Sequence, residues 1–221
     1  MDETLLKKKI TLPLLDLKEM FKYKTVSVVG NAESIFSYQF GNEIDSNEIV
    51  IRMNKGYIRN TEAQGTRTSI WASSYPLKET EVYKFFTPDV CMWMTPKLAI
   101  MPEYSDGFLK NTFIHPEEIW NNLYIRLDNT RPTTGLMVIN FLINYTEAKS
   151  VTLFGFDFFK TKTFYEPKLR KNTPHCFSLE EQLVSSIIDV DSRLTIKGNN
   201  AFSGNNKKVF ITKFMDFFKK R

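Results

Sequence analysis

Two short and almost wholly apolar runs, each closed by a glycine, constrain the fold of this chain most strongly. They are VSVVG at residues 26–30 and VTLFG at residues 151–155. Runs of this kind are typical of strands buried on both faces, which occur in parallel sheets covered by helices. Helical patterns alternate with strand patterns along the chain, so we predict an α/β fold with a mostly parallel sheet and helices on both faces.

Seven segments have the length and composition of strands. They are residues 25–29, 48–53, 68–72, 90–94, 123–127, 150–154 and 208–212. A helix is predicted at 135–145, where nearly every side chain is apolar, and another at 178–189, where Ser178 and Glu181 form a capping-box pattern. A short helix start is predicted at 115–120.

The 221 residues suffice for one domain with a sizeable core, and 42% apolar with 25% charged residues indicates a globular protein. Within this single domain, 1–221, we treat residues 1–24 as an N-terminal extension. Residues 95–122 are predicted as a lid or acceptor-binding insertion, and 205–221 form a basic, aromatic tail. In a helical tail, four phenylalanines would form an apolar stripe beside Lys and Arg, the pattern of a membrane-surface helix. Packing of the tail on the core is the alternative.

The net charge of +5 and the pI near 9.0 suit an anionic partner, but no nucleic-acid motif is present. No apolar run reaches the roughly 18 residues that a membrane-spanning helix needs. The N-terminus lacks the apolar core of a secretory signal. Two cysteines without a CxxC spacing predict a reducing compartment, and we therefore expect a cytoplasmic protein.

Asparagines follow two of the predicted strands. Gly30 permits close approach of the backbone to a ligand, Asn31 adds an amide next to it, and Asn54 ends the following strand. Ligands of open α/β sheets bind outside the carboxyl ends of the strands, so the two amides could flank one nucleotide. A plain turn at residues 30–31 is the alternative. Arg52 is predicted to be structural, in an ion pair with Asp45.

Two further segments carry candidate chemistry. Thr133, Thr134 and Gly135 open the apolar helix, and hydroxyls with unpaired N–H groups at a helix start form an anion site; an ordinary N-cap is the alternative. His115 and His175 are the only histidines. His175 precedes a helix and is the natural general base, with a surface histidine of no role as the alternative.

These segments, in this order, resemble the sialyltransferases of glycosyltransferase family 29. Residues 26–56 are similar to the large sialyl motif, with its V-V-G-N, G-x-x-I-D and V-x-R-x-N elements, and continue into QGTRTSIWASS. RPTTGLMVINFLINYTEAKSVTLFGFDFF resembles the small sialyl motif, and HCFSLE fits the H-x4-E motif. The last part of the small motif is also similar to bacterial sialyltransferases of family 42. The resemblance implies a sialyltransferase-like, Rossmann-like variant of the GT-A fold.

The sequence departs from the family pattern in two ways. Thr25 and Ala148 lie near the positions where the animal enzymes have the cysteines of a disulfide, which agrees with a reducing compartment. The third family motif is only echoed by TFYEP at residues 163–167.

The resemblance implies an inverting enzyme that transfers a 2-keto sugar acid, with sialic acid expected first, from its CMP donor to a glycan hydroxyl. His175 would deprotonate that hydroxyl, and Asn31 and Asn54 would hold the CMP phosphate and ribose. Thr133, Thr134 and Gly135 would bind the nucleotide or the donor carboxylate, and Gly155 and Phe156 would form a wall of the cleft.

We expect neither a metal nor another cofactor, because single-phosphate CMP can be stabilised by hydrogen bonds and dipoles. The glycan acceptor could be lipid-linked, as in bacterial surface polysaccharide synthesis at the inner membrane face. A CMP-Kdo transferase and a non-catalytic nucleotide- or glycan-binding module of the same fold remain as alternatives. A role for Glu180 in orienting His175 is also open, against a plain first-turn carboxylate.

Overall fold

Seven strands in the described part of the chain form one sheet, and all of them are parallel. The computed structural model describes residues 11–168 and 172–198. The strands are β1 (Thr25–Val29), β2 (Ile49–Met53), β3 (Ile70–Ser73), β4 (Val90–Trp93), β5 (Thr112–Ile114), β6 (Ser150–Phe154) and β7 (Leu194–Lys197). Their order in the sheet is β5-β4-β3-β2-β1-β6-β7. Because the chain runs outwards from β1 to β5 and then returns to β6, the order reverses between β1 and β6. The carboxyl ends of these two strands are therefore where a ligand crevice is expected.

Helices connect the strands and cover both faces of the sheet. The α-helices of the described part are α1 (Leu14–Phe21), α2 (Gly41–Ser46), α3 (Thr61–Gln64), α4 (Glu79–Phe85), α5 (Asp106–Lys110), α6 (Glu117–Arg126), α7 (Thr134–Tyr145) and α8 (Phe177–Val190). Two 3₁₀ turns, Glu33–Ser37 and Leu98–Ile100, follow β1 and β4. None of these helices is both long and apolar enough to span a bilayer.

The core lies on both sides of the sheet, as the apolar strand runs predict. All five residues of β2 are buried. Helix α7 is buried from Leu136 to Ile143 and packs into the larger cluster with α1, β1 and β6. A second cluster covers the outer strands on the other face, around Trp71, Trp93 and Phe108. The predicted fold class is thus confirmed.

The predicted strand at residues 123–127 is wrong, because this segment belongs to α6 and its C-terminal cap. Ile119, Leu123 and Leu127 are all buried and recur every four residues, which is the period of a helix. The three-residue β5 and the four-residue β7 were not predicted, since runs of three or four residues are too short to establish a strand period. The predicted strand 208–212 and the tail 205–221 lie outside the described residues.

The structure divides two of the segments that were predicted within the domain. Part of the N-terminal extension is core, because Leu17 and Phe21 of α1 are fully buried. Part of the predicted lid, from residue 112 onwards, contributes β5 and the start of α6. A lid or acceptor role for residues 95–111 stays a prediction.

The capping box predicted at Ser178 does not form. Helix α8 begins at Phe177, and its N-cap residue, Cys176, makes no side-chain cap. Glu181 instead accepts a hydrogen bond from the Lys160 ammonium at 2.6 Å. The carboxylate that the local pattern assigns to the helix cap is thus bound by Lys160, a residue from another segment of the chain.

Candidate active site

A cavity of about 100 Å³ opens at the carboxyl ends of β1, β2 and β6, beside the first turn of α7. Its wall includes every residue predicted to bind the donor: Asn31, Asn54, Thr133, Thr134, Gly135, Gly155 and Phe156. Residues from four distant segments therefore meet at the reversal of strand order. The roles assigned to the individual residues stay predictions.

Two glycines allow the backbones that follow β1 and β6 to touch. A Cβ atom on Gly30 would lie 2.3 Å from the carbonyl oxygen of Gly155, closer than any real contact. Gly155 has a φ of 66°, which few side chains adopt. The N–H of Ala32 also donates to the Gly155 carbonyl at 3.2 Å. Gly30 thus serves close packing of two strand ends at the floor of the cavity.

Asn31 ties the ends of β1 and β2 together. Its Nδ2 donates to the carbonyl oxygen of Met53 at 3.0 Å, and its own carbonyl accepts from the N–H of Phe164 at 3.0 Å. Its Oδ1 lies where a Cβ atom on Gly56 would be only 2.3 Å away, so the turn after β2 closes against this amide. The side chain is held in one orientation on the cavity wall.

Asn54 connects β2, β3 and α7. Its backbone is left-handed, with φ 51°, a conformation that asparagine tolerates better than most residues. Its Oδ1 accepts from the N–H of Ser74 at 3.0 Å, and its Nδ2 donates to Oγ1 of Thr134 at 3.3 Å. The Thr134 hydroxyl in turn donates to Oγ of Ser74 at 2.9 Å. The two predicted binding residues on β2 and α7 therefore share one hydrogen-bond network.

Glu180 has a structural role that the sequence did not reveal. Its Oε1 accepts from the backbone N–H of Thr133 at 2.8 Å, and its Oε2 accepts from the Thr133 hydroxyl at 2.6 Å. Thr133 is the N-cap of α7, and its Oγ1 also accepts from the N–H of Leu136. Burial raises the pKa of Glu180 to about 7, against the hydrogen bonds from Thr133, which lower it. Glu180 thus fastens α8 to the start of α7 and uses both oxygens in doing so.

Among the described residues, His175 is not one of those that line the cavity, and its hydrogen bond places it beside the segment that precedes α7. Its Nδ1 is 2.6 Å from the carbonyl oxygen of Arg131, two residues before Thr133. A carbonyl can only accept, so Nδ1 carries a hydrogen, and in the neutral ring the lone pair is on Nε2. The ring also stacks on that of Phe177, at 6.1 Å and 25°. Local geometry therefore sets the tautomer, as a general base requires.

Asp157 is a further cavity residue that sequence reasoning missed. It is buried, and its Oδ2 accepts from the Ser34 hydroxyl at 2.9 Å and from the N–H of Thr161 at 3.1 Å. Its Oδ1 is buried without a hydrogen-bond partner in the described part of the chain. The available signal was its position directly after Gly155-Phe156 at the end of β6. Tyr165, within the TFYEP segment, also lines the cavity.

Arg52 is structural, as predicted, but its direct partners are not those predicted. Its Nη2 donates to the carbonyl of Gln64 at 2.7 Å and its Nε to that of Arg67 at 3.0 Å. Asp45 accepts from the N–H groups of Thr66 and Arg67 instead. Burial lowers the pKa of Arg52 to about 10, while the charge of Asp45 raises it. The guanidinium remains charged at neutral pH and binds the connection from β2 to β3.

Comparison with protein families gives a match over the N-terminal part of the chain. The model of glycosyltransferase family 29, the sialyltransferases, matches residues 3–87. The predicted family resemblance is confirmed. The match includes the segment with Asn31 and Asn54, but not α7 or His175. A search of curated proteins gave no match.

Solved sialyltransferase structures share the fold. A mammalian sialyltransferase superposes with a TM-score of 0.64 at 17% identity, over 90% of this chain and 79% of that one. A mammalian sialyltransferase in complex with Gal-beta-1-3GalNAc-ortho-nitrophenol superposes with a TM-score of 0.61 at 18% identity, over 90% of this chain and 79% of that one. The Campylobacter jejuni sialyltransferase CstII in complex with cytidine-5'-monophosphate superposes with a TM-score of 0.52 at 14% identity, over 79% of this chain and 80% of that one. At these identities the likeness shows the fold. The prediction of a sialyltransferase-like glycosyltransferase is thus confirmed at the level of family resemblance and fold.

Proposed function

We propose that this protein transfers a 2-keto sugar acid, sialic acid first, from its CMP donor to a hydroxyl of a glycan acceptor, with inversion and without a metal. One observation carries the proposal. The cavity at the reversal of strand order brings Asn31, Asn54 and the first turn of α7 together. His175 is hydrogen-bonded to the carbonyl of Arg131, which lies shortly before that turn in sequence. The sialyltransferases of similar fold, one of them bound to CMP and another to a glycan, support this choice of substrates.

The cavity offers neutral donors to a ligand with a single phosphate. Thr134 and Gly135 are the first residues of α7, so their N–H groups have no acceptor within the helix and lie at its positive end. Gly135 also allows the Phe156 ring to pack closely, since a Cβ atom there would be 2.9 Å from it. The amides of Asn31 and Asn54 provide both donors and acceptors for ribose and phosphate.

His175 would act as the general base. With its hydrogen on Nδ1 engaged by Arg131, the Nε2 lone pair takes the proton of the acceptor hydroxyl as that oxygen attacks the anomeric carbon. The bond from the anomeric carbon to the phosphate oxygen breaks on the opposite face, and CMP leaves. Charge that develops on the phosphate is stabilised by the N–H groups at the start of α7.

The test is release of CMP from CMP-sialic acid and, separately, from CMP-Kdo, in the presence of a panel of oligosaccharides. His175→Gln should lower kcat by about 100-fold or more, the usual size of general-base catalysis, and leave the Kd for CMP unchanged. Equal rates for the variant and the wild type would reject His175 as the base.

The two donors separate the alternatives. Turnover of CMP-Kdo alone would favour the Kdo transferase, and CMP binding without turnover of either donor would favour the non-catalytic module. Replacement of Lys24 by Gln is the matched control for His175→Gln, because it removes a half-exposed positive charge just before β1, at the other end of that strand from the cavity. This variant should keep its kcat within about twofold, as expected for a half-exposed ion pair.

The lipid-linked acceptor and the contact with the inner membrane face are part of the proposal. Their support is the pattern of residues 205–221, in which phenylalanines alternate with basic residues. Sedimentation with phosphatidylglycerol vesicles tests this contact. Charge reversal of Lys219, Lys220 and Arg221 to Glu should abolish co-sedimentation, and unchanged binding would reject a contact through the tail.

A further inference from the structure

Phenylalanines occupy two positions at the cavity wall where the backbone normally requires glycine or asparagine. Phe158 has φ 53° and Phe159 has φ 62°. The N–H of Lys160 donates to the carbonyl of Asp157 at 3.2 Å, so these phenylalanines are the central residues of a turn with the positive φ values of type I′. A left-handed backbone is unfavourable for bulky side chains. The turn therefore keeps its aromatic rings at a conformational cost that glycine or asparagine would avoid.

Contacts on both sides hold this turn in place. Asp157, its first residue, accepts hydrogen bonds from Ser34 and Thr161. Lys160, its last residue, forms an ion pair of 2.6 Å with Glu181 on α8. Strained backbone persists only where the surrounding structure fixes it, and such strain concentrates at functional sites. The turn is thus bound to the segment after β1 and to the helix that follows His175.

The ring of Phe159 connects the cavity to the histidine. Phe159 lines the cavity, and its ring lies almost parallel on that of Phe177, with centroids 3.8 Å apart and planes 13° apart. Phe177, the first residue of α8, stacks in turn on His175. The imidazole therefore has the Arg131 carbonyl at Nδ1 and the Phe177 ring beside it, with centroids 6.1 Å apart and planes 25° apart.

We propose that Phe159 is a positioning residue, which fixes the plane of the His175 ring through the ring of Phe177. One hydrogen bond sets the tautomer of an imidazole but leaves rotation about that bond, whereas a stacked aromatic ring restricts this rotation. This role rests on the proposed function, in which His175 is the general base and the orientation of its ring therefore affects catalysis. It explains why phenylalanine occupies position 159 despite the backbone strain.

The experiment is NMR of the full chain with ¹⁵N-labelled histidine, compared with kcat for CMP release. The chain has two histidines, so a His175→Gln variant assigns the ring signals. Phe159→Asn removes the ring but tolerates the left-handed backbone. We expect it to shift the His175 ring signals and to lower kcat roughly tenfold, the order expected for a misoriented catalytic group, with little change in the donor KM. Phe159→Tyr should restore both readouts.

Tyr23 provides a matched control. It is an aromatic residue with φ 59°, is 68% exposed, and lies just before the amino end of β1, whereas the cavity lies at the carboxyl end of that strand. Tyr23→Asn should change neither the His175 signals nor kcat.

Unchanged His175 signals in Phe159→Asn would overturn the positioning role, whatever the activity. If Phe159→Asn shifts the His175 signals but the wild type itself releases no CMP, the positioning role is upheld and the proposed function is rejected. The two failures are therefore distinguishable.

Discussion

At the scale of the residue, the clearest effect of burial is on the pKa of His115, whose side chain is almost fully buried. Both ring nitrogens lack a hydrogen-bond partner among the described residues, and the rings of Phe113 and Phe141 lie next to it. Burial lowers its pKa from 6.5 to about 4. Because the folded state disfavours the proton, the contribution of His115 is complete above pH 6.5 and is lost as the pH falls towards 4, by about 3 kcal/mol in total. Urea unfolding between pH 7.5 and 4.5 should show this loss.

The variant His115→Leu should remove that part of the pH dependence, since leucine fills a similar volume without titrating. His175→Gln is the control, because it removes the other histidine and should retain the part of the pH dependence that is assigned to His115. The same slope in the wild type and in His115→Leu would contradict the assignment.

Replacement of glycine by alanine should have opposite effects on the free energy of unfolding at two positions, because the space around them differs. Gly30→Ala places a methyl group against the Gly155 backbone, so we expect a loss of about 3 kcal/mol in unfolding free energy and weaker CMP binding. In Gly107→Ala the nearest atom is 3.8 Å away and the position is helical, so we expect a gain of about 0.5–1 kcal/mol. Thermal unfolding and CMP titration measure both. A neutral Gly30→Ala would show that the strand ends can separate.

Single residues of the site were predictable where local rules suffice. Asn31 and Asn54 each follow an apolar strand, and the carboxyl-end rule places both at one edge. The roles of Glu180 and Asp157 were not predictable, because their partners, Thr133 and Ser34, are far away in sequence and are chosen by the tertiary structure.

At the scale of the element, the start of α7 depends on α8 through Glu180. Burial raises the pKa of this carboxyl to about 7, so the protonated form is favoured in the folded state. Its contribution to stability is complete below the ordinary pKa near 4.5 and is lost as the pH rises through about 7. Glu180→Gln keeps hydrogen-bonding groups at this position without the charge. It should exceed the wild type in unfolding free energy at pH 8 by about 1–3 kcal/mol and match it near pH 5.

Glu181→Gln is the neighbouring control, and its half-exposed ion pair with Lys160 should be worth less than about 1 kcal/mol at either pH. Glu180→Ala, which leaves Thr133 without its partner, should be less stable than Glu180→Gln at pH 8. A Glu180→Gln variant that loses stability at pH 8 would contradict the raised pKa.

Elements were predictable in proportion to their length and periodicity. β1 and β6 match their predicted bounds, and α7 differs by one residue, because each is a long apolar run. Residues 123–127 have the composition of a strand when taken alone, and the helical period appears only when the buried Ile119, one turn earlier, is included. β5 owes its existence to pairing with β4, which no pattern within three residues can indicate.

At the scale of the whole molecule, stability should be graded across the sheet. β1 has partners on both sides and is buried at four of its five positions, whereas β7 has one buried residue and, in the described part of the chain, is paired on one side only. Native-state hydrogen exchange should therefore show β1, β6 and α7 opening only in global unfolding, with β5 and β7 opening at lower free energy. Equal protection of β1 and β7 would contradict this gradient.

The strand order also has a consequence for biosynthesis. As the nascent chain leaves the ribosome, β1 can pair with β2 at once, but its other edge stays open until residues 150–154 emerge some 120 residues later. Because the crevice is bounded by both β1 and β6, it forms only after β6 has been made. Chaperone demand during translation should therefore peak before β6 appears.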